Sequence, residues 1–502
     1  MTVPPVDQTD QTDRASTGVP GLDDVLGGGL PSRRLHLLQG SPGAGKTTVA
    51  LQFLREGVRR GERSLYISMS ESQEEMDSVA ASHGWSLDGV EIFEAAEDAA
   101  TEAENTLFHP SEVELGERMH RILAEVARVK PHRLVLDSCT ELRLLAGSAV
   151  RYRRQILALK RELVEAGRTV LLVDNPAPDE PDVLLQSLAH GVLTLEQLHP
   201  AFGAERRRLR VLKMRGLAYR GGYHDFTIQR GGLAVFPRLV ASEHRSAISN
   251  ERVPTGVAEL DGLLGGGLDR GTSTLIVGPS GAGKSMLGTL HVLRAAERGE
   301  RAVVFAFDES REIALARGRS LGMDLAPHLA SGAVAIEQVD PAELSPGEFV
   351  HRVRRAVDEG GARLVVIDSL NGLMQAMPNE SFVTLQMHEL LSFLSHRGVL
   401  TLMLLAQHGL VGDELESPVD VSYLADTVLL LRYFEAEGSV RKALSVVKKR
   451  TGAHETTIRE IYVDAKGVHV GAPLTAFRGV LTGVPVYDAA AGGPQLGTTR
   501  KA

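Results

Sequence analysis

The chain has 502 residues, 43% of them hydrophobic and 24% charged, with a net charge of −9 and one cysteine, Cys139. That length accommodates two or three domains with a full core each. The acidic balance speaks against a broad grip on nucleic acid, the lone cysteine excludes an intramolecular disulfide or a cysteine-rich zinc site, and no apolar run approaches the ~20 residues that cross a bilayer.

Residues 1–16 are polar and read as a flexible tail without the features of a signal peptide, so a soluble, cytoplasmic protein is expected. From Thr17 onward, short apolar runs alternate with amphipathic segments. RLHLLQG, SLYISM, RLVLD and TVLLVDN read as buried strands, with TTVALQFLREGVRR and VRYRRQILALKRELVEAG as helices between them. RRRLRVLKMRG and YHDFTIQ follow as strand-like segments. The polar stretch ASEHRSAISNERVP, residues 241–254, breaks the periodicity and marks a domain boundary. TLIVG, AVVFAF, RLVVID and LTLMLLA then repeat the strand pattern, and RKALSVVKKRTG and TIREIYVDAKGVHV close the second half. The Gly/Ala-rich residues 486–502 read as a second tail. Strand–helix alternation with near-continuous apolar strands predicts an α/β fold, in each half a parallel sheet covered by helices on both faces. The predicted domains span 17–245 and 246–485.

The halves are copies. TGVPGLDDVLGGGL begins at Thr17 and TGVAELDGLLGGGL at Thr255, a spacing of 238 residues that also separates Gly40 from Gly278. This is one duplicated domain, not a short-period solenoid. Each copy carries G-x-x-x-x-G-K-[ST]: Gly40-Ser41-Pro42-Gly43-Ala44-Gly45-Lys46-Thr47-Thr48 and Gly278-Pro279-Ser280-Gly281-Ala282-Gly283-Lys284-Ser285-Met286. Glycines let successive N–H groups curl toward one anion at the mouth of a helix. The lysine reaches the β- and γ-phosphates, and the hydroxyl of Thr47 or Ser285 completes a Mg²⁺ shell. Both halves are therefore expected to bind ATP with Mg²⁺.

Hydrolysis or phosphoryl transfer also needs a metal-orienting carboxylate at the end of a neighbouring strand. RLVLD supplies Asp137 and RLVVID supplies Asp368; alone, either also reads as a helix N-cap, and the upstream loop favours the metal role. For the group that polarises the attacking oxygen, the second half offers Asp308 and Glu309, whereas the first offers Ser70 and Glu71. Each acid has the alternative reading of a solvated residue at a helix start.

On these residues the chain resembles the KaiC family of RecA-like ATPases, over Thr17 to about Pro485. The likeness rests on the repeated TGVxxLDxxLGGGL leader, both phosphate loops, DSCTEL and DSLNGL, KMRG and KKRTG, and TIREIYVDAKG. The resemblance implies two tandem RecA-like P-loop domains in a homohexameric double ring, with ATP and Mg²⁺ between subunits. It implies an ATPase N-terminal ring and a C-terminal ring that phosphorylates itself on serine or threonine; an unidentified signalling protein is left open as a partner, because the family's long partner-recruiting C-terminal segment has no counterpart in the tail after Pro485. It casts Lys213 and Arg215, and Lys448 and Arg450, as cations that reach the neighbour's nucleotide. Ser70 stands where the family has its activating carboxylate, so the first site is expected to bind ATP chiefly for assembly unless Glu71 takes that role. The acceptor position falls on Ser422; Tyr423 occupies the second acceptor position, and Ser417 lies near a third. The rival reading is a RecA/RadA- or DnaB-like DNA-dependent ATPase. Its favourable features are RRRLR at 206–210 and RYRR at 151–154; the acidic balance and the 4% aromatic content count against it. A third is a non-catalytic ATP-dependent scaffold.

Overall fold

The apolar runs of each half assemble into one sheet of nine strands. The computed structural model describes residues 14–95, 111–175, 183–200, 203–240, 251–375, 380–407, 423–481 and 486–487. The chain divides into two units between Arg238 and Leu239. In the first, the sheet consists of β1 (Leu35–Gly40), β2 (Ser64–Ser68), β3 (Val90–Glu94), β4 (Arg133–Asp137), β5 (Thr169–Asp174), β6 (Gly191–Leu198), β7 (Arg206–Met214), β8 (His224–Gln229) and β9 (Gly232–Phe236). Their spatial order is β3-β2-β4-β5-β1-β6-β7-β8-β9. The second unit has β10 (Ser273–Gly278), β11 (Ala302–Ala306), β12 (Val334–Gln338), β13 (Leu364–Asp368), β14 (Leu400–Ala406), β15 (Thr427–Ala436), β16 (Ser439–Lys449), β17 (Arg459–Asp464) and β18 (Gly467–Pro473). Its order, β12-β11-β13-β14-β10-β15-β16-β17-β18, repeats that of the first.

The expected parallel sheet is present in part. β3 to β6 of the first unit, with β1 and β2 among them, pair in parallel, and β7, β8 and β9 extend that sheet antiparallel. The second unit does the same from β16 onward. The physical reason is connection length. A parallel return needs a crossover of a dozen residues or so, whereas Gln229 pairs with Gly232 across the two residues Arg230 and Gly231, with Gly231 at φ 104°.

Alternation along the strands divides the core into two layers. Val135, Leu171 and Val173 cluster with Val49, Phe53 and Leu54 of α1 (Lys46–Arg59). Leu134, Leu136, Val170 and Leu172 cluster on the other face with Tyr152, Ile156, Leu159 and Leu163. Those four residues form one stripe, spaced by three or four, along the helix Ala149–Glu165. Each such buried side chain contributes roughly 1.5–3 kcal/mol. In the second unit α3 (Lys284–Glu297) takes the place of α1.

Of the two predicted tails, residues 1–13 and 488–502 lie outside the described residues, and the short stretches next to them are paired. Arg14 and Ala15 pair antiparallel with Pro31 and Leu30, and Val486 and Tyr487 pair with Arg478 and Phe477. Short polar or alanine-rich runs give no periodicity from which two-residue ribbons can be read. The 245/246 boundary lies outside the described residues. Among the described residues no helix is long and apolar enough to cross a membrane.

Glycine fixes the approach of β6 to β1. A Cβ on Gly40 would lie 2.6 Å from the Leu195 carbonyl oxygen, and one on Gly278 would lie 2.7 Å from that of Leu431. Gly40→Ala is therefore expected to destabilise the first unit by about 1–3 kcal/mol, seen as a lower denaturation midpoint; an unchanged midpoint would contradict this steric account.

Candidate nucleotide sites

β1 ends at Gly40, and the chain turns through Gly43 and Gly45 at φ 78° and 94° before α1 begins at Lys46. β10, Gly281 and Gly283 (φ 74° and 114°) and α3 repeat the turn. These left-handed conformations suit glycine alone among ordinary residues. Neither helix has a side-chain cap, so its first-turn amides point toward any anion held by the loop. The Lys46 ammonium donates to the carbonyls of Gly40 and Ser41 at 2.8 and 2.7 Å. Lys284 donates to those of Gly278 and Pro279 at 2.9 and 2.8 Å. Burial pushes both lysines down from their ordinary pKa; Asp137, Asp174 and Glu71 oppose this at Lys46, and Asp368 opposes it at Lys284.

The strand-end aspartates meet the loop hydroxyls. Burial raises the Asp137 carboxyl, and hydrogen bonds from Tyr66 and Thr47, together with the Lys46 charge, work against that rise. Asp368 is likewise raised by burial and opposed by Ser285 and Arg317. A hydroxyl beside a carboxylate is a hard oxygen pair, the donor set Mg²⁺ takes when phosphates fill the rest of its shell. Thr47 with Asp137, and Ser285 with Asp368, therefore fit the ion.

The two acidic positions differ between the units. In the first, the Ser68 hydroxyl donates to the Glu71 carbonyl and accepts from its amide at 2.6 and 2.9 Å. This turn leads into α2 (Gln73–Ser82), which Ser72 and Glu75 close with a capping box. Burial, then Asp137 and Glu75, raise the Glu71 carboxyl, and its Oε2 has no hydrogen-bond partner among the described residues. Ser70 is exposed. In the second unit Glu309 is engaged by Arg317 of α4 (Arg311–Ser320), and Asp308 accepts from the Ser369 hydroxyl. Asp308 and Glu309, adjacent in sequence, thus have different partners.

The basic pairs lie away from their own loops. Met214 pairs with Gly191, which is level with His36, while Gly40 is level with Leu195. Lys213 and Arg215 therefore sit about 13 Å down the sheet from the loop, at ~3.3 Å per residue. There Lys213 donates to the Gln186 carbonyl, Arg215 to that of Ser187 at 2.7 Å and Lys160 to that of Leu188 at 2.8 Å. Three cations thus gather at the C-terminal end of the helix Val183–Leu188, where its dipole favours them. Burial, then Arg215 and Lys160, lower the Lys213 pKa. In the second unit Lys448 is half-buried, and Arg450 donates to the Tyr423 carbonyl at 2.6 Å and lies 3.7 Å from Asp426. Ser417 and Ser422 lie outside the described residues, and Tyr423 is exposed.

Several residues escaped the sequence reading. The Tyr66 hydroxyl donates to Asp137 at 2.5 Å. Tyr433 donates to the Ser280 carbonyl at 3.0 Å, over the second loop. Asp174 is fully buried and accepts from Thr140 at 2.9 Å. Asp174 had a signal, since it ends the strand TVLLVD much as Asp137 ends RLVLD; the tyrosines had none.

A family model described as "ATPase: KaiC" matches residues 15–240 and 253–475. The "Circadian clock protein KaiC3" of Synechocystis sp. is 28% identical over 492 residues, 96% of each chain. The "Circadian clock oscillator protein KaiC" of Parasynechococcus marenigrum is 28% identical over 95% of this chain and 93% of its own. That of Thermosynechococcus vestitus is 28% identical over 97% and 95%.

Because both strand-end carboxylates are raised by burial and must be ionised to hold Mg²⁺, apparent Mg²⁺ affinity should fall with decreasing pH. The fall should begin above the ordinary carboxylate range. Asp137→Asn should cost the first unit its Mg²⁺-dependent nucleotide, measured as bound ATP per chain; undiminished retention would contradict the metal assignment.

Proposed function

The chain belongs to the KaiC family of ATPases, and from that premise we propose a cytoplasmic homohexameric signalling ATPase. Its first unit hydrolyses ATP, and its second unit phosphorylates its own serine. The observation that carries this reading is the duplicated phosphate loop with a hydroxyl–carboxylate pair at each copy.

In the first site Lys46 and the α1 amides hold the triphosphate, while Thr47 and Asp137 would hold Mg²⁺. The ion, when bound, neutralises charge on the β- and γ-phosphate oxygens. Glu71 is the general base: a carboxylate raised by burial takes a proton from water more readily than an ordinary one. Ser70 cannot do this, so Glu71 fills the role and the first site is more than an assembly point. Lys213 and Arg215 lie about 13 Å from the phosphate loop of their own unit, and among the described residues the charges that act on Lys160 and Lys213 are cations. Both features support completion of a neighbour's site, where a cation stabilises the charge developing on the γ-phosphoryl group.

In the second site Lys284, Ser285 and Asp368 repeat the cradle, and Lys448 and Arg450 serve the neighbour. Ser422 is the proposed acceptor. The grip of Arg450 on the backbone of Tyr423, one residue beyond it, supports a link between this segment and the basic strand β16. The DNA-motor alternative finds no support, because cations of RRRLR are already paired. Arg207 meets Glu205 at 2.6 Å, and Arg208 meets Glu196 at 2.7 Å and stacks over Tyr223.

Glu71→Gln should lower steady-state ATP turnover by about 10²-fold at the first site while hexamers persist in native mass spectrometry. Lys284→Ala should abolish phosphate on Ser422 after incubation with ATP and Mg²⁺. Undiminished turnover in the first variant would overturn the assignment of the base. Failure of the unaltered protein to acquire phosphate on Ser422 would overturn the kinase reading.

A further inference from the structure

Arg317 lies on α4, eight residues beyond Glu309, and its Nη1 donates to both oxygens of that carboxylate. Its Nε is buried, with no hydrogen-bond partner among the described residues, and its positive charge also acts on Asp368. The same position in the first unit, 238 residues earlier, is Val79. Glu71, the counterpart of Glu309 at that spacing, keeps an oxygen without a partner. One backbone design thus holds a carboxylate open in one unit and locked in an ion pair in the other.

Resting on the reading of both units as ATP sites, we propose that Arg317 is a positioning residue that restrains hydrolysis at the second site by sequestering Glu309. Asp308, oriented by Ser369, is left as the carboxylate that faces the attacking group.

In hydrolysis the water oxygen forms a new bond to the γ-phosphorus. The bond from that phosphorus to the β–γ bridging oxygen breaks, ADP leaves with the electron pair, and the water proton passes to a carboxylate. A carboxylate whose two oxygens both accept from one guanidinium presents neither of them squarely to the water. Asp308 is one methylene shorter and already accepts from Ser369, so it replaces Glu309 poorly for water. Slow hydrolysis keeps the triphosphate intact for attack by a protein hydroxyl, which an acceptor segment brings to the phosphorus itself.

The test uses the full chain carrying Glu71→Gln, so that remaining turnover reports the second site. Adding Arg317→Gln should raise kcat about 3- to 10-fold, within the range of one positioned base, with little change in KM for ATP. Arg317→Lys, which keeps a cation beside Glu309, should hold the rate near the parent. Combining Arg317→Gln with Glu309→Gln should remove the gain. Arg317→Met, which keeps the aliphatic stem, replaces Arg317→Gln if that variant does not fold. A fall in kcat on losing the guanidinium would overturn the proposal, as would a gain that survives Glu309→Gln. If Glu71→Gln leaves the starting rate unchanged, the first-site reading fails separately, and the Arg317 comparison still stands on its own difference.

Discussion

A buried ammonium at the head of a helix demands negative charge, and each unit is arranged to supply it. Lys46 and Lys284 are almost wholly covered, a position in which lysine loses its charge unless anions surround it. Loop carbonyls satisfy its donors, and strand-end carboxylates supply part of the charge. A triphosphate laid against the same amides would supply the rest. Glycines at the strand ends and in the loops allow this geometry, and the parallel core places β4 and β13 so that their last residues face the hydroxyl after the lysine. Fold and site are in this sense one construction made twice.

The two constructions have diverged where polarity matters most. Around Lys46 stand Asp137, Asp174 and Glu71, with Tyr66 donating to Asp137. Around Lys284 the corresponding surroundings include an arginine, so the acidic charge of Glu309 is already answered. A site with an open, burial-raised carboxylate is suited to pulling a proton from water. A site whose longer carboxylate is engaged is suited to waiting for a hydroxyl delivered by the chain. The divergence is what supports the different work proposed for the two units, whose strand order is the same.

Much of this was legible in the sequence because it is local. The phosphate loops, Asp137 and Asp368 are short patterns with fixed spacing, and the duplication announces itself as a constant offset. Strand direction was not legible: RRRLRVLKMRG is apolar in alternation whichever way it runs, and only short connections force β7, β8 and β9 to turn back. Side-chain contacts were also silent. Tyr66 meets Asp137 across neighbouring strands, and Arg317 meets Glu309 from the far end of α4; nothing in the composition of SLYISM or REIALARGRS marks either encounter. The different partners of Asp308 and Glu309 were silent for the same reason, since Ser369 and Arg317 are not marked by the FAFDES pattern.

In the proposed hexamer each phosphate loop is completed by cations from another copy of the chain. The most direct measurement of this mixes two full-length variants, Lys46→Ala and the double variant Lys213→Ala/Arg215→Ala, and follows first-site ATP turnover after subunit exchange. With heterologous contacts around a ring, random mixing places an intact loop beside an intact basic pair at about a quarter of the first sites. Turnover should therefore recover to about that share of the unaltered rate, although each variant alone is nearly inert. Mixtures no more active than their components, despite shared rings in native mass spectrometry, would contradict the claim.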